Sequence, residues 1–283
     1  MKVVIPGGSG QVGSILARHF HAAGHEVVVL SRAPRPAPWR VVAWDARTLG
    51  PWADELDGGD AVVNLVGRSV NCRYTPANRR AILDSRVRSV AKCARPPRVW
   101  VQAGTATIYA HRYDAPNDEL TGLLGTEPGA PDTWRFSYDV ARRWEEALAA
   151  ADVPGVRKVV LRAALTLSPD RDGVFDVLLG LVRRGLGGRA GDGRQWVSWV
   201  HDADFAAAVE FLIGRADLSG PVNVAAPHPL PNAEFMRELR AAWGVSVGLP
   251  AARWMVEVGA WLMRTESELV LKSRRVVPRR LLE

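Results

Sequence analysis

Cysteine is nearly absent: Cys72 and Cys93 are the only two in 283 residues, and they lack the spacing of a metal site. That excludes a disulfide framework and points to free thiols in a reducing compartment. No apolar stretch approaches the length of a membrane span. Pro6-Gly7-Gly8 stops the first apolar run after four residues, too soon for the core of a signal peptide. Helix-turn-helix, zinc-finger and RNP patterns are missing, so the net charge of +7 and the pI near 10 fit an anionic small ligand as well as they fit nucleic acid. There is no internal repeat. With 47% hydrophobic and 24% charged residues the chain is globular rather than disordered, and it is expected to be soluble and cytoplasmic.

What is present begins at the N-terminus. Lys2 to Ile5 form a short apolar run, Pro6-Gly7-Gly8-Ser9-Gly10-Gln11-Val12-Gly13 a glycine-rich turn, and Ser14 to Ala23 a helical pattern. This is the strand, turn and helix of a dinucleotide fingerprint. Gly7 permits the tight turn, Gly10 lets the backbone approach a pyrophosphate, and Gly13 lets the helix lie close to the strand, while the helix N-terminus offers free N–H groups. Glu26 to Leu30 completes a βαβ unit. At its end, where an NAD site carries Asp or Glu, stand Ser31 and Arg32. An acid would repel a 2′-phosphate, whereas the arginine fork can pair with it, so the sequence favours NADP(H).

Further strands are expected at Trp39 to Trp44, Ala61 to Gly67, Arg98 to Ala103 and Lys158 to Arg162, with helices at Pro76 to Cys93 and Thr133 to Ala151. The alternation predicts an α/β, Rossmann-type doubly wound parallel sheet through residue 167. Residues 168–283 read as a smaller C-terminal substrate-binding lobe, with segments near 195–225 returning to the sheet. Within that stretch Gln195 to His201 is strand-like, Asp202 to Gly214 helical with Asp202 as N-cap, and Pro221 to Ala225 a strand. Asn232 caps a helix through Trp243, and the tail from Ala251 is amphipathic, with Trp254, Val258, Trp261 and Leu262 on one face.

If a nicotinamide lies across the strand ends, the chemistry belongs on the loops that follow them. Asn64 and Gly67 lie at such an end. Thr105 follows a strand directly, and its hydroxyl can hydrogen-bond a carbonyl or alcohol oxygen. Tyr138 lies on the next helix with Arg142 one turn later on the same face. A tyrosine that donates and accepts protons works best with its ordinary pKa of about 10 brought down by a fixed positive charge. Arg183, Arg184, Arg189 and Arg194 surround flexible glycines and either clamp a phosphate or carboxylate or form a solvated basic loop.

Together these stretches resemble the extended and atypical short-chain dehydrogenases/reductases: the glycine turn, Asn64-Leu65-Val66-Gly67, Thr105-Ala106-Thr107-Ile108-Tyr109 and Trp199-Val200-His201-Asp202-Ala203-Asp204. Thr75 to Arg86, Gly185-Leu186-Gly187-Gly188, Gly193-Arg194-Gln195-Trp196, Ser219 to Asn223, Asn232 to Phe235 and Val276 to Leu282 are similar to one branch, the NADP-binding "epimerase family" proteins of the NAD-dependent epimerase/dehydratase type. The resemblance implies cofactor contacts at Gly7, Gly10, Gln11, Val12, Gly13, Ser31, Arg32, Asn64, Leu65, Val66, Gly67 and Arg86. It implies substrate contacts at Tyr109, Arg189, Arg194 and Trp196, and no metal. A Ser or Thr polarises the reacting oxygen, a Tyr is the acid/base and a Lys four residues later supports it. Thr105 and Tyr138 match, and Arg142 departs from the lysine. The expected activity is hydride transfer between NADP(H) and a carbonyl or secondary alcohol, with a nucleotide-sugar epimerase and a non-catalytic NADP(H) sensor as alternatives. The expected partner is a small molecule, anionic where the arginines meet it, with neither nucleic acid nor membrane. The basic loop can face a ligand or a partner subunit, so a homodimer is one expected assembly.

Overall fold

Eleven strands occur among the described residues of this computed structural model, which are 1–48, 50–87, 96–171 and 173–283. They are β1 (Lys2–Pro6), β2 (Glu26–Ser31), β3 (Arg40–Ala43), β4 (Ala61–Asn64), β5 (Val99–Ala103), β6 (Arg157–Ala163), β7 (Leu165–Leu167), β8 (Trp196–Val197), β9 (Trp199–His201), β10 (Gly220–Val224) and β11 (Leu230–Pro231). Seven form one sheet in the order β10-β6-β5-β4-β1-β2-β3, with every pair parallel. The helices are α1 (Gln11–Ala22), α2 (Pro76–Val87), α3 (Asp132–Ala149), α4 (Val174–Arg183), α5 (Asp202–Gly214), α6 (Asn232–Trp243), α7 (Arg253–Leu262), α8 (Glu268–Leu271) and α9 (Arg279–Leu282).

Side chains alternate across a strand, and here both faces are apolar. Val3, Ile5, Val27, Val29, Val63 and Val101 meet Ile15, Leu16 and Phe20 of α1 and Phe205, Val209 and Leu212 of α5. Val4, Val28, Leu30, Val62 and Trp100 point to the other side, onto Trp52, Leu56 and Leu148 of α3. Because β1 has β2 on one side and β4 on the other, the winding reverses there. Open α/β sheets bind ligands at the C-terminal ends of the strands that flank such a reversal, here β1 and β4.

Several expectations shift in detail. The first helix begins at Gln11 rather than Ser14, so Gln11, Val12 and Gly13 form its first turn. The third strand is an edge strand of four residues, half open to solvent. α2 is seen to Val87, and the expected continuation through Arg88, Val90 and Cys93 lies outside the described residues. Gln195 to His201 is not one strand. It breaks at Ser198, whose hydroxyl donates to Arg274 O (2.6 Å) and accepts from Val276 N (2.7 Å), while β8 pairs with β11 and β9 with β7 outside the main sheet. Of residues 195–225, β10 joins the sheet and α5 packs beneath it. The cap of α5 is His201, with Asp202 the first helical residue; His201 Nδ1 and Asp202 Oδ1 both accept from Ala203 N. The apolar face of α7 is uncovered, with Trp254 at 65% and Trp261 at 62% exposed. A small separate cluster of Val182, Phe235 and Met236 joins α4 to α6.

Candidate functional site

The turn after β1 is shaped by backbone proximity. Gly7 adopts φ +74°, and a Cβ on it would stand 3.0 Å from the Val66 backbone at the end of β4. A Cβ on Gly13 would come within 2.4 Å of Gly8 Cα and O, so the helix start is pressed onto the turn. Gly10, the N-cap of α1, is different: an added Cβ would meet nothing within 4 Å, and no side chain among the described residues caps the helix. The first turn therefore presents N–H groups without intrahelical partners to open space. Val12 is half-buried against the core. Gln11 lies along Gly173 at the start of α4, and its Nε2 is buried with no hydrogen-bond partner among the described residues.

At the end of β2, Ser31 is buried and its Oγ accepts from Ala33 N (3.2 Å). Arg32 is exposed with no carboxylate partner among the described residues. Past β4, Leu65 N donates to Pro6 O (2.9 Å), which extends the β1–β4 seam. Asn64 is fully buried: its Nδ2 donates to Gln102 Oε1 (3.0 Å) and its Oδ1 accepts from Val66 N (3.1 Å). It fixes the start of the loop after β4 from within. Gly67 leaves room for the Arg86 guanidinium, 3.1 Å from where its Cβ would be. Arg86 is buried, donates to Arg68 O (3.0 Å) and Ile82 O (3.1 Å), and lies 4.7 Å over the Trp144 ring. Burial pulls its pKa down to about 10. Its fork is turned inward, bracing the loop after β4 against α2 and α3.

At the end of β5, Thr105 caps a 3₁₀ turn, Ala106–Ile108. Its Oγ1 accepts from Thr107 N (3.1 Å) and donates to Thr107 Oγ1 (3.0 Å). Tyr138 of α3, half-buried, packs into the cluster of Ala106, Ile108, Tyr109, Ala141 and Val276, which brings it beside the Thr105 turn. Arg142 points along the outer face of α3, 2.5 Å from Glu146 and 3.9 Å from Asp139. The hydrogen bond to Glu146 keeps its pKa raised, with Asp139 and Tyr138 contributing less.

Tyr109 is buried, and its hydroxyl donates to Asn223 Oδ1 (2.9 Å) while accepting from Arg162 Nη1 (3.0 Å). Arg162 forms a two-point pair with Glu145 at 2.8 Å. Burial lowers the Arg162 pKa, but Glu145 and Tyr109 outweigh it and leave it raised. Tyr109 thus supports the Thr105 turn from behind. In the basic loop, Arg183 lies 4.2 Å over Trp243 and Arg184 donates to Gly180 O (2.9 Å). Arg189 and Arg194 are exposed, Arg194 5.7 Å over the Tyr113 ring. Trp196 lies under Arg275 at 4.3 Å, and its backbone N donates to Ser273 Oγ.

Sequence reasoning missed the buried ionic groups, Arg162–Glu145 and Glu268–Lys272. A signal existed for the second. Glu268-Leu269-Val270-Leu271-Lys272 sets opposite charges one helical turn apart around an apolar run.

The model of the NAD dependent epimerase/dehydratase family matches residues 3–225. The epimerase family protein SDR39U1 of Bos taurus is 32% identical, over 100% of this chain and 93% of that protein. The crystal structure of human SDR39U1 (isoform 2) with NADPH superimposes with a TM-score of 0.84 at 29% identity, covering 100% of this chain and 92% of that one. The nucleoside-diphosphate sugar epimerase of Corynebacterium glutamicum gives 0.74 at 30% identity, over 100% of this chain and 54% of that one. No helix among the described residues is long and apolar enough to cross a membrane. On this agreement of sequence and fold, the chain belongs to the NAD dependent epimerase/dehydratase family.

Proposed function

We propose that this chain is an NADP(H)-dependent oxidoreductase acting on a carbonyl or secondary alcohol. The observation that carries the reading is the meeting of the Thr105 turn and Tyr138 at the C-terminal end of β5, at the same end of the sheet as the glycine turn. The fingerprint fits a dinucleotide: Gly10 faces open space, and among the described residues no side chain caps the α1 N-terminus and the buried Gln11 Nε2 meets no acceptor. Gly7, Gly10, Gln11, Val12 and Gly13 would hold the pyrophosphate, Ser31 and Arg32 the 2′-phosphate end, and the Asn64 to Gly67 wall the nicotinamide side. The NADPH in the human relative's crystal supports this reading.

When bound, such a nucleotide supplies or accepts hydride. The chain's own part is to orient the substrate oxygen on the Thr105 hydroxyl and to move a proton at the Tyr138 phenol. Arg142 stays charged on the same helix and supports a phenolate only across the distance its pairing with Glu146 leaves. Residues 168–283 would cover the substrate, with Arg189, Arg194 and Trp196 facing an anionic group. The two cysteines fit a cytoplasmic setting. Likeness to a nucleoside-diphosphate sugar epimerase favours, as a variant, transient oxidation with return of the hydride. The outward pairing of Arg142 favours a sensor that has lost turnover.

Fluorescence titration with NADPH and NADH, repeated on Arg32→Ala, tests the cofactor, with 11 tryptophans available as reporters. NADPH should bind tighter than NADH, and the gap should close in the variant. Loss of NADPH oxidation in Tyr138→Phe across a panel of carbonyl compounds supports catalysis. Binding without turnover of any compound supports the sensor, and failure to bind either nucleotide removes both readings.

A further inference from the structure

The geometry points to Lys272 as a positioning residue that holds the Thr105–Thr107 turn in register with the helical turn carrying Tyr138. The inference rests on the roles given to Thr105 and Tyr138 above. Lys272 Nζ donates to Thr107 O at 2.9 Å. Its ammonium is 3.7 Å from Glu268 Oε1, and Glu268 Oε2 accepts from Ser137 Oγ at 2.6 Å. Ser137 is the residue before Tyr138. A line of polar contacts thus runs from the carbonyl of the Thr105 turn through ammonium and carboxylate to the hydroxyl of α3, over elements that are far apart in the chain.

Glu268 and Lys272 are 2% and 1% exposed. Arg274 Nη2 also stands 3.8 Å from Glu268 Oε1. Next to Lys272, Ser273 N donates to His111 Nδ1 (2.8 Å) and Ser273 Oγ to Arg112 O (2.9 Å). Residues 272 and 273 therefore grip residues 107–112 at both ends. Apolar side chains of similar volume would often hold a segment at equal or lower cost than a buried ion pair. They cannot fix a carbonyl and a hydroxyl at set positions. Thr107 matters because both its N and its Oγ1 bond Thr105 Oγ1, so a shift of Thr107 carries the Thr105 hydroxyl with it. Misplacement by an ångström costs on the order of 100-fold in rate when reacting groups must be aligned.

The test compares the full chain with Lys272→Met, Lys272→Arg and Ser137→Ala. Hydrogen–deuterium exchange should speed up across 105–112 and 133–141 in Lys272→Met while the fingerprint at 7–14 keeps its protection and its NADPH affinity. Lys272→Arg should restore part of that protection. With phenanthrenequinone as the carbonyl probe, kcat should fall toward about 100-fold in Lys272→Met with the NADPH Kd unchanged. Ser137→Ala, a smaller change, should give the same pattern more weakly and serves as the deciding variant if Lys272→Met does not fold. Unaltered exchange at 105–112 overturns the inference, as does loss of protection spread evenly over the sheet. If the wild-type chain binds NADPH but turns over neither the quinone nor any compound of the carbonyl panel, the catalytic reading fails, while the exchange data still decide whether Lys272 holds the turn.

Discussion

Replacing Gly13 by Ala sets a Cβ 2.4 Å from Gly8 Cα and O, where only backbone movement can relieve it. The expected cost is about 1–3 kcal/mol of stability, together with loss of NADPH binding. At Gly10 the same methyl enters open space, so Gly10→Ala should leave the melting temperature unchanged and weaken NADPH binding alone. Thermal melts and nucleotide titrations on the two variants check the contrast. Lys272 allows a second prediction. Burial, helped by Arg274 and opposed by Glu268 and Glu127, holds its pKa down to about 8 from 10.5. Between these values the unfolded chain keeps the proton and the folded chain sheds it, so stability rises with pH across that window. Melts at about pH 7.5 and about pH 9.5 should show wild type gaining on Lys272→Met, and a constant gap would argue against the assignment. The fingerprint glycines could be read from sequence because their task is local. Tyr109 could not, because its partners Arg162 and Asn223 lie on strands distant in the chain.

Among elements, the strands of the main sheet were legible as apolar runs, since a parallel sheet covered on both faces imposes that pattern. The break at Ser198 was not: its hydroxyl is held by the backbone of Arg274 and Val276, far along the chain. In the tail the opposite charges of Glu268 and Lys272 were visible one helical turn apart, but their partners Ser137 and Thr107 were not, because these lie more than 130 residues earlier in the chain. α7 shows the opposite case. Its amphipathic pattern was visible, but none of its residues is buried, so it contributes little to folding. Trp254→Ser, at a 65% exposed position, should change stability by no more than about 0.5 kcal/mol in denaturant melts.

For the molecule as a whole, a ligand seated across the ends of β1 and β4 stabilises every element that unfolds with the sheet. NADPH at 100 times its Kd should add about 2.7 kcal/mol, visible as a concentration-dependent rise in melting temperature that exceeds the NADH effect in wild type but not in Arg32→Ala. The order of the sheet carries a further consequence, for the chain's birth. β6 ends at Ala163, yet its outer neighbour β10 begins only at Gly220, and α5, which roofs the core beside α1, starts at Asp202. While the polypeptide is being synthesised, β6, paired with β5 on one side, must wait as a bare edge on the other, the amides that will face β10 unpaired, until more than fifty later residues have emerged. An exposed strand of this kind is a template for pairing between nascent chains, so aggregation during synthesis should be most acute in that interval and should fade once β10 docks.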